Sequence, residues 1–109
     1  MHEEHRQRLR RCVIEAKGET DGALREKVFA FSAERSGGPK DGVELPGEAL
    51  PGFVDTVARH AYESTVDQVE ALRTEGYGDD AIYEITVLTA VSAGITRLDR
   101  ALAALKEEA

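Results

Sequence analysis

Apolar residues in the first part of the chain recur at helical spacing. Leu9, Cys12, Val13 and Ala16 fall at i, i+3, i+4 and i+7 between about Glu3 and Lys17, which marks one face of an amphipathic helix. Gly18 stands where a C-terminal cap belongs. Thr20 or Asp21 can cap a second helix that turns Leu24, Val28 and Phe31 inward. From Arg35 to Gly47 the apolar period disappears. Gly37, Gly38, Gly42 and Gly47, with Pro39 and Pro46, predict a loop there and the most flexible part of the chain.

The period returns near Pro51, whose ring suits a first helical turn. Phe53, Val54, Val57, Ala58 and Ala61 would face inward, while Asp55, Arg59 and Glu63 would form an i, i+4, i+8 ladder of ion pairs outside. Thr65 and Gln68 have the spacing of a capping box for a fourth helix burying Val66, Val69 and Leu72 and stopping at Gly76. Asp79 would cap the last helix, and Asp80 places negative charge at its positive end. That helix should run from about Asp80 to Lys106. Ile82, Ile85, Leu88, Ile95, Leu98, Leu102 and Leu105 form one apolar face, widened by Val87, Val91 and Ala101. Thr86, Ala90, Ala93 and Gly94 make a row of small residues. A helix apolar over so much of its circumference is covered on more than one side, and in a small chain the extra cover implies a homo-oligomer.

The expected fold is all-α, a single domain 1–109 of about five helices: an N-terminal helical pair (1–34), a loop (35–50) and a helical core (51–109). One hundred and nine residues bury one core. With 6% aromatic residues and no Trp, that core must be aliphatic. The formal net charge of −7 argues against a nucleic-acid partner. The basic run Arg6, Arg8, Arg10, Arg11 reads as a solvated helix face. Cys12 is the only cysteine, which leaves no internal disulfide. The charged N-terminal segment is unlike a signal peptide, and the uncharged run between Glu84 and Arg97 falls short of the ~20 residues of a bilayer span. A cytoplasmic protein with no membrane partner is expected.

Candidate chemistry is sparse. His2 and His5 lie i, i+3 without further ligands, a poor metal site, and Gly37-Gly38-Pro39 lacks the rest of a phosphate loop. No metal and no cofactor is expected. His60 shares a helix face with Ser64 at i, i+4 and with Glu63 at i, i+3, so the three could form a proton-transfer group. Tyr62, Tyr83 and Arg97 could bind a substrate, Arg97 by holding a carboxylate. Each also has a plainer reading. His60 can be a surface or packing residue, Arg97 a structural ion pair, and Cys12 a small buried hydrophobe on the Leu9/Val13 stripe.

From Phe53 to Leu105, about half of the chain, the order of residues resembles the carboxymuconolactone decarboxylase and alkylhydroperoxidase D-like family. The anchors are Gly76 closing one helix, a short polar turn, and Ile82-Tyr83 opening a long Ala-rich helix. Peroxidase members place Glu-x-x-Cys-x-x-Cys-x-x-x-His just before that glycine. Counted back from Gly76 without gaps, those four functional positions hold Ala58, Ala61, Ser64 and Gln68. Peroxide reduction needs a thiolate and a resolving thiol, and both are gone. The resemblance therefore implies a redox-inactive relative, an oligomer with an alkylhydroperoxidase D-like helical fold. Such a relative would bind or act on a small acidic or aromatic metabolite near His60, Tyr62, Glu63, Ser64, Tyr83 and Arg97. The alternative is a non-catalytic helical assembly module.

Overall fold

Among the described residues, four helices pack around a long fifth. The computed structural model describes residues 2–15, 18 and 20–108, without the side chains of His2 and Glu108. The elements are α1 (His2–Glu15), α2 (Gly22–Arg35), α3 (Ala49–His60), a 3-10 turn (Ala61–Glu63), α4 (Val66–Thr74) and α5 (Asp79–Glu108). The fold is all-α, with no strand among the described residues. Ala16 and the Lys17 end of the first expected helix lie outside the described residues.

The core joins Ile14 of α1, Val28, Phe29 and Phe31 of α2, Leu50, Phe53 and Val54 of α3, Leu72 of α4, and Ile82, Ile85 and Leu88 of α5. All three phenylalanines of the chain are buried in it, so it is not the purely aliphatic core that the low aromatic content predicts. Two reciprocal hydrogen bonds fasten α2 against α5. The Ser32 hydroxyl donates to the carbonyl of Thr89 at 2.9 Å, and the Ser92 hydroxyl donates to the carbonyl of Phe29 at 2.6 Å. Those pairings run in opposite chain directions, so α2 and α5 are antiparallel. Ser32, Thr89 and Ser92 are fully buried. Short side chains let the backbones approach; the two serine hydroxyls donate to carbonyls across the seam, and the Thr89 hydroxyl donates to the Ile85 carbonyl of its own helix.

Turn chemistry sets the helix ends. Asp21 caps α2 by accepting from the Leu24 amide at 2.8 Å. The capping box at Thr65 and Gln68 is complete. After α4, the Tyr77 amide donates to Leu72 and the Gly76 amide to Arg73, a Schellman closure that requires the positive φ of Gly76, +103°. The N-terminus of α3 has no cap of its own. The carboxylate of Glu75 accepts instead from the amides of Glu48 (3.2 Å) and Ala49 (3.1 Å).

Several inward faces differ from the pattern. Cys12 is exposed and Leu9 half exposed, while Ile14 is buried. The inward side of α1 is Arg6, Arg10, Val13 and Ile14, at i, i+4, i+7 and i+8. Arg6 pairs with Asp99, and Arg10 lies over the Phe29 ring at 5.4 Å. Arginine stems cover apolar surface that a count of hydrophobic residues leaves out. Ala61 is exposed because α3 ends at His60 and the chain tightens into the 3-10 turn. The same break removes Glu63 from the expected ladder. Asp55 instead lies between Arg59 (3.6 Å) and Arg35 of α2 (3.8 Å). Val66 is 75% exposed in the first turn of α4. Asp79 is the first residue of α5 and not its cap; its carboxylate takes the Arg73 guanidinium at 3.0 Å, and the first helical bond runs from the Ile82 amide to Gly78. The 36–48 loop is pinned by Leu45, which is buried in the core.

Candidate functional site

Four of the six candidate residues sit at one corner. His60 ends α3, Tyr62 and Glu63 belong to the 3-10 turn, and Ser64 closes it, its amide bonded to the Ala61 carbonyl at 3.1 Å. All four are exposed. The rings of His60 and Tyr62 meet edge to face, 5.9 Å apart. The break after His60 ends the helix face that would have aligned His60 with Glu63 and Ser64.

Arg97 reaches the same corner from α5, where its guanidinium donates to the Ala58 carbonyl. That carbonyl belongs to the last turn of α3, which lacks helical partners, and a cation there complements the helix dipole. Arg97 thus meets a backbone carbonyl, in place of the expected carboxylate. Tyr83 lies elsewhere. It precedes Arg97 by fourteen residues on one helix, about 21 Å along the axis. The six residues do not converge on a common point.

Tyr83 lines a groove between α1 and α5 with Cys12, Val13, Arg25, Glu84, Val87 and Leu88, about 190 Å³ in volume. At its floor Arg25 and Glu84 approach to 3.7 Å, and the Thr20 hydroxyl lies 3.4 Å from Glu84. Arg25 is buried. The pair was legible as residues but not as partners: Arg25 falls on the α2 face of Val28, Phe29 and Ser32, and Glu84 opens the apolar run of α5. A wider open depression of about 530 Å³ surrounds the start of α5, lined by Thr20, Asp21, Leu24 and the 76–81 segment. Tyr77 stands in it, its phenol pushed above its ordinary pKa by burial and secondarily by the charge of Glu75. No group of three or more His, Cys, Asp or Glu arranged to hold a metal occurs among the described residues.

The most extended feature is the outward face of α5. Tyr83 is 71% exposed, Leu98 50% and Leu105 63%, and Ala90, Gly94 and Ala101 are open beside them. By length and composition alone α5 is apolar enough to cross a membrane, yet it is also the helix that carries the core. Comparison of the chain with models of protein families, with curated proteins and with solved structures finds no match in any of the three.

Proposed function

We propose that the chain is a soluble, cytoplasmic helical assembly module, and that the outward face of α5 is its working surface. The observation that carries this reading is the run of exposed apolar and small residues from Tyr83 to Leu105 on a protein in which 32% of residues are charged. Contiguous exposed apolar surface of this kind marks an interaction site. The corner at His60 supports a structural role: its side chains face solvent, and Arg97 is engaged by the end of α3. Light scattering over a concentration series tests the proposal. A mass above one 11.9 kDa chain at micromolar concentration is expected, and a single-chain mass throughout counts decisively against it.

A second reading draws on the meeting of His60 and Arg97 at one corner. In it the chain is a decarboxylase-like relative binding a small acidic or aromatic metabolite there. Calorimetric titration with aromatic carboxylates, repeated on Arg97→Ala, separates the two; binding lost in that variant would favour the metabolite. In neither reading is the protein a thiol peroxidase. Cys12 is exposed but has no second cysteine to resolve a sulfenic acid. With hydroperoxide and a dithiol reductant, the protein should consume no more peroxide than Cys12→Ser. Sustained turnover that vanished in that variant would sink this part of the proposal.

A further inference from the structure

The outward face of α5 is symmetric along its own length. Its residues are Tyr83, Val87, Ala90, Gly94, Leu98, Ala101 and Leu105, separated by 4, 3, 4, 4, 3 and 4 positions. The spacing reads the same in both directions, with Gly94 at its centre. At 100° per residue all seven fall within a stripe about 80° wide, opposite the α2-facing residues Ile85, Ser92 and Thr96. None of the seven is charged.

We infer, resting on the assembly reading above, that the partner is a second copy of this chain, paired antiparallel through α5 with Gly94 at the two-fold axis. A two-fold interface requires that residue i meet j while j meets i, and this register satisfies that along the whole stripe. Gly94 meets Gly94, Ala90 meets Leu98, Val87 meets Ala101, and Tyr83 meets Leu105. Side-chain bulk is smallest at the centre and largest at the ends, as two crossing helices need when their axes diverge from a point of closest approach. A Cβ added at Gly94 would meet nothing within 4 Å in the single chain. The glycine therefore answers no need of this chain's own packing, although it costs the helix about 1 kcal/mol relative to alanine.

The area is adequate. The stripe is about 33 Å long, and its exposed side chains, with their flanks, offer roughly 600 Å² per copy. Two copies would bury on the order of 1,200 Å², the lower end of specific association. Cys12 lines the groove shared with Tyr83 and Val87, and Leu9 lies one turn before it on α1, so the apolar surface continues past the edge of the stripe. A lipid surface suits the same stripe less well. Interfacial helices carry Lys and Arg along their polar flanks, whereas α5 holds six acidic and three basic residues in a chain of net charge −7.

Cross-linking in a Cys12→Ser background reads the register. With oxidised glutathione, Gly94→Cys should form a covalent dimer. Ala90→Cys alone and Leu98→Cys alone should not, because each meets its own copy about 12 Å away along the axis, beyond disulfide reach. The double variant Ala90→Cys/Leu98→Cys should cross-link. Light scattering on the unaltered chain should give about twice 11.9 kDa, and Gly94→Glu should give a single chain of unchanged helicity. An oligomer in which Ala90→Cys and Leu98→Cys cross-link as readily as Gly94→Cys, or in which Gly94→Cys does not cross-link, overturns the antiparallel register and leaves the assembly reading standing. A single chain at ~100 µM overturns both, and co-flotation of that single chain with phosphatidylcholine vesicles would assign the stripe to lipid.

Discussion

The two faces of α5 use the same kinds of residue under opposite conditions. On the inward face, Ile85 and Leu88 are sealed by α2 and α3, and Thr89 and Ser92 hold hydroxyls that bond only to backbone carbonyls. On the outward face, Tyr83, Leu98 and Leu105 meet solvent at the same helical spacing. Residue type does not distinguish them. What differs is whether this chain supplies the covering surface: the inward face contributes to folding, and the outward face is open for the association proposed above.

The contrast is sharpest under truncation. Ile85→Ala removes fully buried methyl groups from the centre of the core and should cost about 2–5 kcal/mol of unfolding free energy. Against a total of about 5–15 kcal/mol that is a severe loss, visible in urea denaturation. Leu98→Ala removes similar bulk from the outward face and should leave the stability of a single chain within about 0.5 kcal/mol, while lowering the association measured by light scattering. Equal losses of chain stability from the two variants would erase the distinction between the faces.

Much of this was legible in the sequence, and the misses have a common physical cause. The all-α fold, the α4 capping box and the closure at Gly76 are local: residues within one or two turns determine them. Faces resting on tertiary cover were harder to read. The apolar residues of α5 wind round the helix, so that Leu98 and Leu105 lie roughly 140–160° from Ile85 at 100° per residue, and residue type alone does not say which side the other helices cover. Cys12 shares the spacing of Val13, yet the arginine stems of Arg6 and Arg10 turn α1 the other way. At the candidate site, spacing placed His60, Glu63 and Ser64 on one helix, but α3 ends at His60. The Glu75 cap was invisible for the same reason: it joins residues 26 and 27 positions apart.

That cap gives an effect of intermediate size. Glu75→Ala deprives two amides at the start of α3 of their acceptor, and helix caps are worth about 0.5–2 kcal/mol. The loss should be measurable by thermal unfolding and should leave association through α5 untouched. A control is available in Thr65→Ala, which removes a cap of ordinary local design on α4 and should cost about 1 kcal/mol. If Glu75→Ala were silent while Thr65→Ala destabilised, the contact between Glu75 and α3 would carry no energy.

The smallest effect concerns Tyr77, which lies outside both faces of α5 at the turn leading into it. Burial, then the neighbouring charge of Glu75, hold its phenol above the ordinary value of 10.0 in the folded chain. Well below pH 10 the phenol is protonated whether the chain is folded or not, so its contribution is fully present and flat. As the pH rises further the unfolded chain releases the proton first, so it binds fewer protons than the folded chain and stability falls with pH. The loss continues until the pH has passed through the raised folded value. Tyr77→Phe cannot ionise and should show a shallower decline between pH 9 and pH 11 in chemical denaturation. An identical decline in both proteins would mean that Tyr77 titrates alike in the folded and unfolded chain.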